Sequence, residues 1–536
     1  MGDLIVGSST NDLGAADFYK DSVVLITGGT GFIGKVLVEK LLRCFDVKKI
    51  YLLLREKRNV RAKDRLKEIF QEPIFNVIRN GHSNPASVFA KVNVIETNFQ
   101  NEKIISAQDK ELLLSEVTVV FNVMASVKFN ESIESALDTN VVCSRKLFDI
   151  VGQMTGVRSI VHVSTFYSNC NRPRIEEQIF DDIPFGGYSN VLEILSHLKD
   201  TEKAQLTPSI LGTMPNSYTF SKKCAEAMIQ QRYAHLPICI FRPPVVTSAY
   251  QEPIPGWVDN FNGISGMCVP MIQGKFYCCM AEREIPSHTV PVDYCVAALL
   301  AVGAETASSR VAGTSSERPA IRYRWITVWR HCWPWELKRL AAELQELQVS
   351  GKQFLCTIMQ PMRTTLGGVT SGNGSQRDAR HGWGAFLGAF PWPIVDVALS
   401  LSFGGVSAVR YSARSRYALV LTSSRFLRQM FVWWFILQAV AADLLLMVVG
   451  KKRQNLRLVN RVFALEDAAR YFAMHGWTVQ NDNMRRVLNR LSDKERSLLQ
   501  FDIDRLDWGD YFRNFLPGIK AALARSYQRR QSRGAA

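Results

Sequence analysis

Twelve consecutive residues near the N-terminus, Val23 to Gly34, constrain the fold more tightly than any other part of the chain. Val23-Val24-Leu25-Ile26 is an apolar run of the kind that forms a strand buried on both faces. Thr27-Gly28-Gly29-Thr30-Gly31-Phe32-Ile33-Gly34 follows, and then apolar residues at Val36, Leu37, Leu41 and Leu42 recur at helical spacing. Gly28, Gly31 and Gly34 therefore sit in the turn between a buried strand and a helix. Without side chains there, backbone N–H groups can approach a pyrophosphate at the positive end of the helix. A glycine triplet alone says little; the strand before it and the helix after it make it a dinucleotide-binding unit.

The next strand bears on which dinucleotide. Ile50-Tyr51-Leu52-Leu53-Leu54 ends in Arg55-Glu56-Lys57-Arg58. An acidic residue at that strand end would hold the ribose 2′-hydroxyl of NAD, whereas the cation of Arg55 suits the 2′-phosphate of NADP. Glu56 falls one residue late. NADPH is the expected cofactor.

Further strands are expected at 92–96, 117–123, 159–165 and 238–241, with helices between them at 132–151 and 221–234. This alternation, continuing to about residue 300, predicts an α/β fold with a doubly wound parallel sheet, whose ligands lie beyond the carboxyl ends of the strands. With 536 residues and 47% hydrophobic content, the chain can form two domains or one large domain with an appendage. A net charge of +16 calls for an acidic partner: a polyphosphate cofactor, an anionic membrane surface or nucleic acid. The basic residues are scattered and no nucleic-acid-binding motif is present, which sets nucleic acid aside. Eleven cysteines without regular spacing suggest thiols in a reducing compartment. No His/Cys group has metal-site spacing, and adjacent Cys278 and Cys279 make a poor chelate. The first nineteen residues lack the apolar core of a secretory signal, and Val6 argues against myristoylation of Gly2. The C-terminal residues match no common retrieval or import tag.

Tyr218 and Lys222 stand four residues apart, on one face of the expected helix. A phenol with a pKa near ~10 shares its proton poorly at neutral pH, and a neighbouring ammonium and a nicotinamide cation would lower it. The pair thereby becomes an acid–base device. Thr165 or Ser164, at the end of the preceding strand, would supply a second donor to a carbonyl oxygen.

The glycine loop and the Tyr-x-x-x-Lys pair resemble the extended short-chain dehydrogenase/reductase superfamily, and within it the alcohol-forming fatty acyl-CoA reductases of animals. The resemblance is carried by Phe18-Tyr19, the run from Thr27 to Arg55, Val163 to Cys170, Pro215 to Lys222, Phe241-Arg242-Pro243-Pro244, Glu252 to Asn260 and Val290 to Asp293. It spans about 16–300 and resumes from Arg425 to Gly518, with Asp443-Leu444-Leu445-Leu446, Gly450-Lys451-Lys452 and Phe501-Asp502 to Asp507-Trp508. It implies a Rossmann-type sheet with a mainly helical C-terminal domain, and reduction of long-chain acyl-CoA to a primary alcohol by NADPH. By the same resemblance, Thr165, Tyr218 and Lys222 are catalytic. The cofactor residues it implies are Thr27, Gly28, Thr30, Gly31, Phe32, Ile33, Gly34, Arg55, Asn98 and Arg242. Thr97-Asn98 stands where members carry Gly-Asp, so weaker or adjusted adenine binding is expected; Asn122 replaces a histidine. A single-hydride reductase or epimerase acting on a steroid or nucleotide sugar, and a non-catalytic NADP-sensing protein, are the alternatives.

The expected organisation is a flexible N-terminus (1–15), the reductase domain (16–303), a poorly patterned segment (304–424), a helical C-terminal domain (425–520) and a basic tail (521–536). The poorly patterned segment is compatible with a divergent lid, a flexible insertion or a mis-assigned coding sequence. Met430–Val449 is long enough to span a ~30 Å hydrocarbon layer, yet Gln438 and Asp443 oppose a span. A span, an in-plane helix and a buried helix all remain open. Ala385–Val409 is a weaker apolar stretch. Membrane association is expected, on the peroxisome or endoplasmic reticulum, with the reductase domain facing the cytosol.

Overall fold

The computed structural model describes residues 12–57, 59–272, 278–281, 285, 287–311, 324–325, 406–409, 419–422, 424–448, 450, 453 and 455–534. They fall into two compact units. The first comprises residues up to Cys268, His288–Arg330 and Gly476 onward; the second comprises Val269–Ser287 and His331–His475. Of the stretch 425–520, residues up to 475 belong to the second unit and the rest to the first.

The first unit is built on β1 (Val23–Thr27), β2 (Lys49–Leu54), β3 (Val92–Glu96), β4 (Val119–Asn122), β5 (Ser159–Val163), β6 (Ile238–Arg242) and β7 (Arg324–Trp325). Their spatial order is β7-β6-β5-β4-β1-β2-β3, and every pairing is parallel. Register is fixed by apolar residues that meet across the ladder, Val24 opposite both Ile50 and Val119. β1, β4, β5 and β6 are buried along their whole length, which is why they are mostly apolar, with the polar side chains of Thr27, Asn122, His162 and Arg242 among them hydrogen-bonded inside the fold. Helix α1 (Phe32–Cys44) packs beside α3 (Val292–Val311), while α2 (Ser217–Tyr233) packs beside the helices of 133–151, so both faces are covered. This is the doubly wound Rossmann-type sheet. Strand order reverses between β1 and β4, and the crevice for a ligand opens there, at the carboxyl ends.

The expected continuous helix over 132–151 is interrupted. Ile133–Leu137 and Cys143–Val151 are α-helical, and Asp138–Val142 between them is a π-turn. Such single-turn expansions redirect a side chain at a chosen point; here it is Asn140.

The end of the chain adds to the same unit. Thr478–Val479 pairs in parallel with Arg174–Ile175, and buried Trp477 donates to the Cys170 carbonyl (2.9 Å). Helix α6 (Trp508–Gly534) crosses the 250–258 loop so closely that a Cβ on Gly518 would lie 1.8 Å from the Gly256 carbonyl oxygen. The buried Tyr511 hydroxyl donates to Thr247 Oγ1 (2.7 Å). Asp293 supports the loop from below by accepting from the N–H groups of Tyr250, Gln251 and Glu252 at 2.8–3.0 Å.

In the second unit, α4 (Arg425–Val448) packs along α5 (Asn455–Met474). Cys278–Met280, Leu419–Thr422 and Val406–Val409 form a small sheet. Val406–Val409, the end of the weaker apolar stretch, is thus a strand. The rest of that stretch and most of 304–424 lie outside the described residues.

Candidate active site

The glycine loop leaves the end of β1 with Gly28 at φ 70°, a conformation L side chains rarely adopt. A Cβ there would come within 2.8 Å of the Met124 nitrogen, beyond β4, and one on Gly34 within 2.2 Å of the Gly28 carbonyl oxygen. The first glycine thus lets the loop pass the neighbouring strand, and the last lets α1 begin against the loop. Gly31 is the N-cap of α1 and offers no side-chain cap, so the first-turn N–H groups point outward for an anion. A dinucleotide pyrophosphate fits this cradle. Thr30, Phe32 and Ile33 line the same turn, and the Phe32 ring stacks on Trp257 (5.5 Å, 20°).

Arg55 follows β2 and is exposed. Sequence reasoning missed its neighbour, Arg65, which donates to the Arg55 carbonyl (2.6 Å) and to Thr30 Oγ1 (3.1 Å). Partial burial, and then repulsion from Arg55, lower the Arg65 pKa. Two like charges held together beside a glycine loop form a site for a dianion. Only the position of Arg65 on the following helix gave a hint of this. Asn98 lies exposed beyond β3, its Oδ1 accepting from the Gln100 N–H (3.0 Å).

Two residues expected at the cofactor do not face the crevice. Thr27 is buried, donating to Asn122 Oδ1 (2.6 Å) and accepting from the Met124 N–H (3.2 Å), so it ties β1 to β4. Arg242 is fully buried in an ion pair with Glu226 and donates to the Gln178 carbonyl (3.0 Å). A guanidinium at the end of an interior strand needs a buried carboxylate, and α2 supplies it. The replacement of histidine by Asn122 is accommodated: Asn122 also meets His162 Nδ1 (2.9 Å) and Ser144 Oγ (3.1 Å).

Tyr218 and Lys222 lie in the first turns of α2, which is capped by Asn216 accepting from the Thr219 N–H (2.9 Å). Thr165, beyond the end of β5, is the side chain that acts on the Tyr218 hydroxyl, favouring its ionised form. Ser164 is committed elsewhere, to Glu226. The choice left open between the two hydroxyls therefore falls on Thr165. Lys222 is buried and donates to the Val163 carbonyl (2.7 Å).

The expected lowering of the phenol pKa is not found in the protein alone. Burial pushes Tyr218 up to about 12, outweighing the Thr165 hydrogen bond. Burial likewise brings Lys222 down to about 8, with Glu226 opposing. Burial thus shifts both groups toward their neutral forms, Lys222 keeping its charge up to about pH 8.

Asn140, at the π-turn, was not legible in the sequence. Its Oδ1 accepts from the Ser126 N–H (2.9 Å) and its Nδ2 donates to Ser221 Oγ (2.9 Å), which donates to the Tyr218 carbonyl (2.9 Å). One run of contacts therefore leads from Gly28 past Met124 and Ser126 through Asn140 to Tyr218. The cradle after β1 and the Tyr218–Thr165 pair after β5 both lie at the carboxyl-end side of the parallel sheet.

Two family models, both described as male sterility protein, match this chain, one over residues 26–299 and the other over 434–526. Similar proteins include fatty acyl-CoA reductases. One from Drosophila melanogaster is 28% identical over 504 residues, 94% of this chain and 84% of that protein. Fatty acyl-CoA reductase 1 of Xenopus laevis is 28% identical, covering 95% and 86%. Fatty acyl-CoA reductase 2 of Homo sapiens is also 28% identical, with the same two coverages.

Proposed function

The chain belongs to the male sterility protein family, and from that membership and the crevice described above we propose that it reduces long-chain fatty acyl-CoA to the primary alcohol with NADPH. Fatty acyl-CoA reduction is the activity, and a nicotinamide dinucleotide is the cofactor. The choice of NADPH is supported by Arg55 and Arg65, whose paired cations match a 2′-phosphate better than a 2′-hydroxyl. When bound, the cofactor supplies hydride to the thioester carbonyl and then to the aldehyde carbonyl.

The observation that carries the reading is the placement of Tyr218 one turn before Lys222 on α2, with Thr165 beside them at the carboxyl end of β5 and Lys222 donating to the Val163 carbonyl (2.7 Å). Two hydroxyls meeting there can hold one developing oxyanion. With its pKa raised, Tyr218 is protonated throughout the neutral range and serves as proton donor. Lys222 would hold the nicotinamide ribose and, when charged, would stabilise negative charge at Tyr218. In the first reduction the C–S bond breaks and the coenzyme A thiolate leaves, taking a proton. In the second, Tyr218 gives its proton to the alkoxide, and the alcohol leaves. Two NADPH and two protons are consumed for each alcohol and each free thiol.

Association with the cytosolic face of a peroxisomal or endoplasmic reticulum membrane would deliver the lipid substrate. Among the described residues, one helix, Arg428–Val448, is long and apolar enough to cross a membrane by length and composition.

Incubation with NADPH and a panel of acyl-CoAs, following NADPH oxidation, free thiol and alcohol together, tests the assignment. Two NADPH per thiol with alcohol as product is expected. A ratio of one with aldehyde as product would remove the alcohol-forming step. No thiol release from any acyl-CoA would favour a single-hydride reductase of another substrate.

A further inference from the structure

We propose that α4 lies flat in the headgroup layer of an anionic phospholipid membrane, with α5 packed beside it, and does not cross the bilayer. The proposal rests on the membrane association above and states how that contact is made.

The apolar side chains left exposed on α4 run along its whole length. Phe426, Met430, Trp433, Trp434, Leu437, Val440, Leu444, Leu445, Met447 and Val448 form this row, at spacings that keep them on one side of the helix. Leu445 is 68% exposed and Val448 is 87% exposed. Only 11% of the apolar window is buried within the structure, unlike the core helix of a soluble domain.

The other side of α4 is fixed to α5 at both ends by charged groups. Arg428 donates to Glu466 Oε2 through Nε (2.9 Å) and also pairs with Asp467. Near the far end, buried Asp443 accepts from the N–H groups of Asn455 and Leu456, both at 3.0 Å, closing the start of α5. Phe435 and Phe463 meet between these clasps (6.3 Å). The acid that counted against a membrane segment in the sequence is therefore turned away from the apolar row and neutralised by a helix N-terminus.

This pairing opposes a span. Helix α5 carries Arg457, Arg461, Glu466, Asp467 and Arg470, and a crossing α4 would draw these charges into hydrocarbon. Stripping α5 away would instead leave Arg428 and Asp443 without their partners in that layer. Trp433 and Trp434 stand exposed in the N-terminal half of α4. In a flat helix every position lies at interfacial depth, which suits indoles. Exposed Gln429 and Gln438 can also meet headgroups there. Charge identifies the lipid. Arg425 and Arg453 are exposed at the two ends of α4, and Lys451 and Lys452 adjoin Arg453 in the sequence. Such a basic collar is attracted to phosphatidylserine-type headgroups.

The test uses the full chain bearing a fluorescent amino acid at Met430, Leu437, Leu444 or Val448, one site at a time. Each form is floated with vesicles of phosphatidylcholine and phosphatidylserine and quenched by lipids labelled at graded depths. Equal, shallow depths at all four sites, with binding much weaker to pure phosphatidylcholine, are expected. A deep maximum at Leu437 between shallow ends would establish a span; this overturns the flat helix while leaving membrane association intact. Failure of every form, and of the unlabelled protein, to float would overturn both. Self-association through α4 without lipid contact, seen by sedimentation, would replace the lipid with a second copy of the chain. As a second arm, Leu437→Glu with Leu444→Glu should weaken vesicle binding at least tenfold, with NADPH oxidation on a water-soluble short-chain acyl-CoA unchanged. Unchanged vesicle binding would count against the row as the contact.

Discussion

At Tyr218 two effects compete for one proton, and burial prevails over the Thr165 hydrogen bond in the free protein. That outcome suits a donor. Tyr218→Phe is expected to lower the alcohol-forming rate by about 10²–10⁴-fold while NADPH affinity stays within a few-fold, measured by turnover and by cofactor titration. A variant keeping more than about a tenth of the rate would remove Tyr218 from that role. Lys222 sets the alkaline limit. Its folded pKa of about 8 lies below the ordinary value near ~10.4, so burial opposes its charged form. The resulting destabilisation is complete below pH ~8 and is relieved as pH rises toward ~10, where only the unfolded lysine keeps its proton. Activity should move the other way: kcat/KM is expected to fall above about pH 8 as the ammonium is lost. In Lys222→Arg that inflection should disappear, because a guanidinium does not titrate there. At the opposite end of the crevice, Arg55→Ala or Arg65→Ala should weaken NADPH far more than NADH in binding titrations. Equal losses would make the two cations structural. The pairing of Tyr218 with Lys222 was legible because helical spacing is local. Arg65 and Asn140 were not, since each acts through contacts to residues distant in sequence.

Among the elements, local pattern predicted strands well and helix interruptions poorly. The interior strands β1, β4, β5 and β6 are mostly apolar, as burial on both faces requires, whereas edge strand β3 exposes Asn93 and Glu96. The π-turn at 138–142 leaves no such mark, because one extra residue in a turn is chosen by what Asn140 must reach. The crossing of α6 over the 250–258 loop is equally silent in the sequence. Nothing in Gly256 or Gly518 alone indicates that they face each other. Gly518→Ala would place a methyl group inside the Gly256 carbonyl, forcing the helix outward. A loss of about 2–3 kcal/mol is expected in denaturant unfolding, in the range for overpacked sites. The same substitution at Gly81, where a Cβ meets nothing within 4 Å, should change stability far less.

Across the whole molecule, sequence order and spatial grouping differ. The residues from Gly476 onward follow α4 and α5 in the chain, yet they complete the unit that carries the crevice. Trp477, Tyr511 and Phe515 are buried in it, and Leu13 donates to the Arg490 carbonyl (2.9 Å). A chain ending at residue 475 is therefore expected to lose the cooperative unfolding of the reductase unit and to aggregate on expression. Calorimetry beside the full chain checks this, and an unchanged transition would show that the end is dispensable. The sequence by itself determined the parallel α/β sheet, the glycine turn between β1 and α1, and the shared helix face of Tyr218 and Lys222, since each follows from local pattern and spacing. Tertiary structure decided that Thr27 and Arg242 serve the core, that Thr165 and not Ser164 meets Tyr218, and that Asp443 faces α5 instead of lipid. Each of these depends on which remote group fills a side chain's hydrogen-bonding capacity, and only the packed chain brings those groups together.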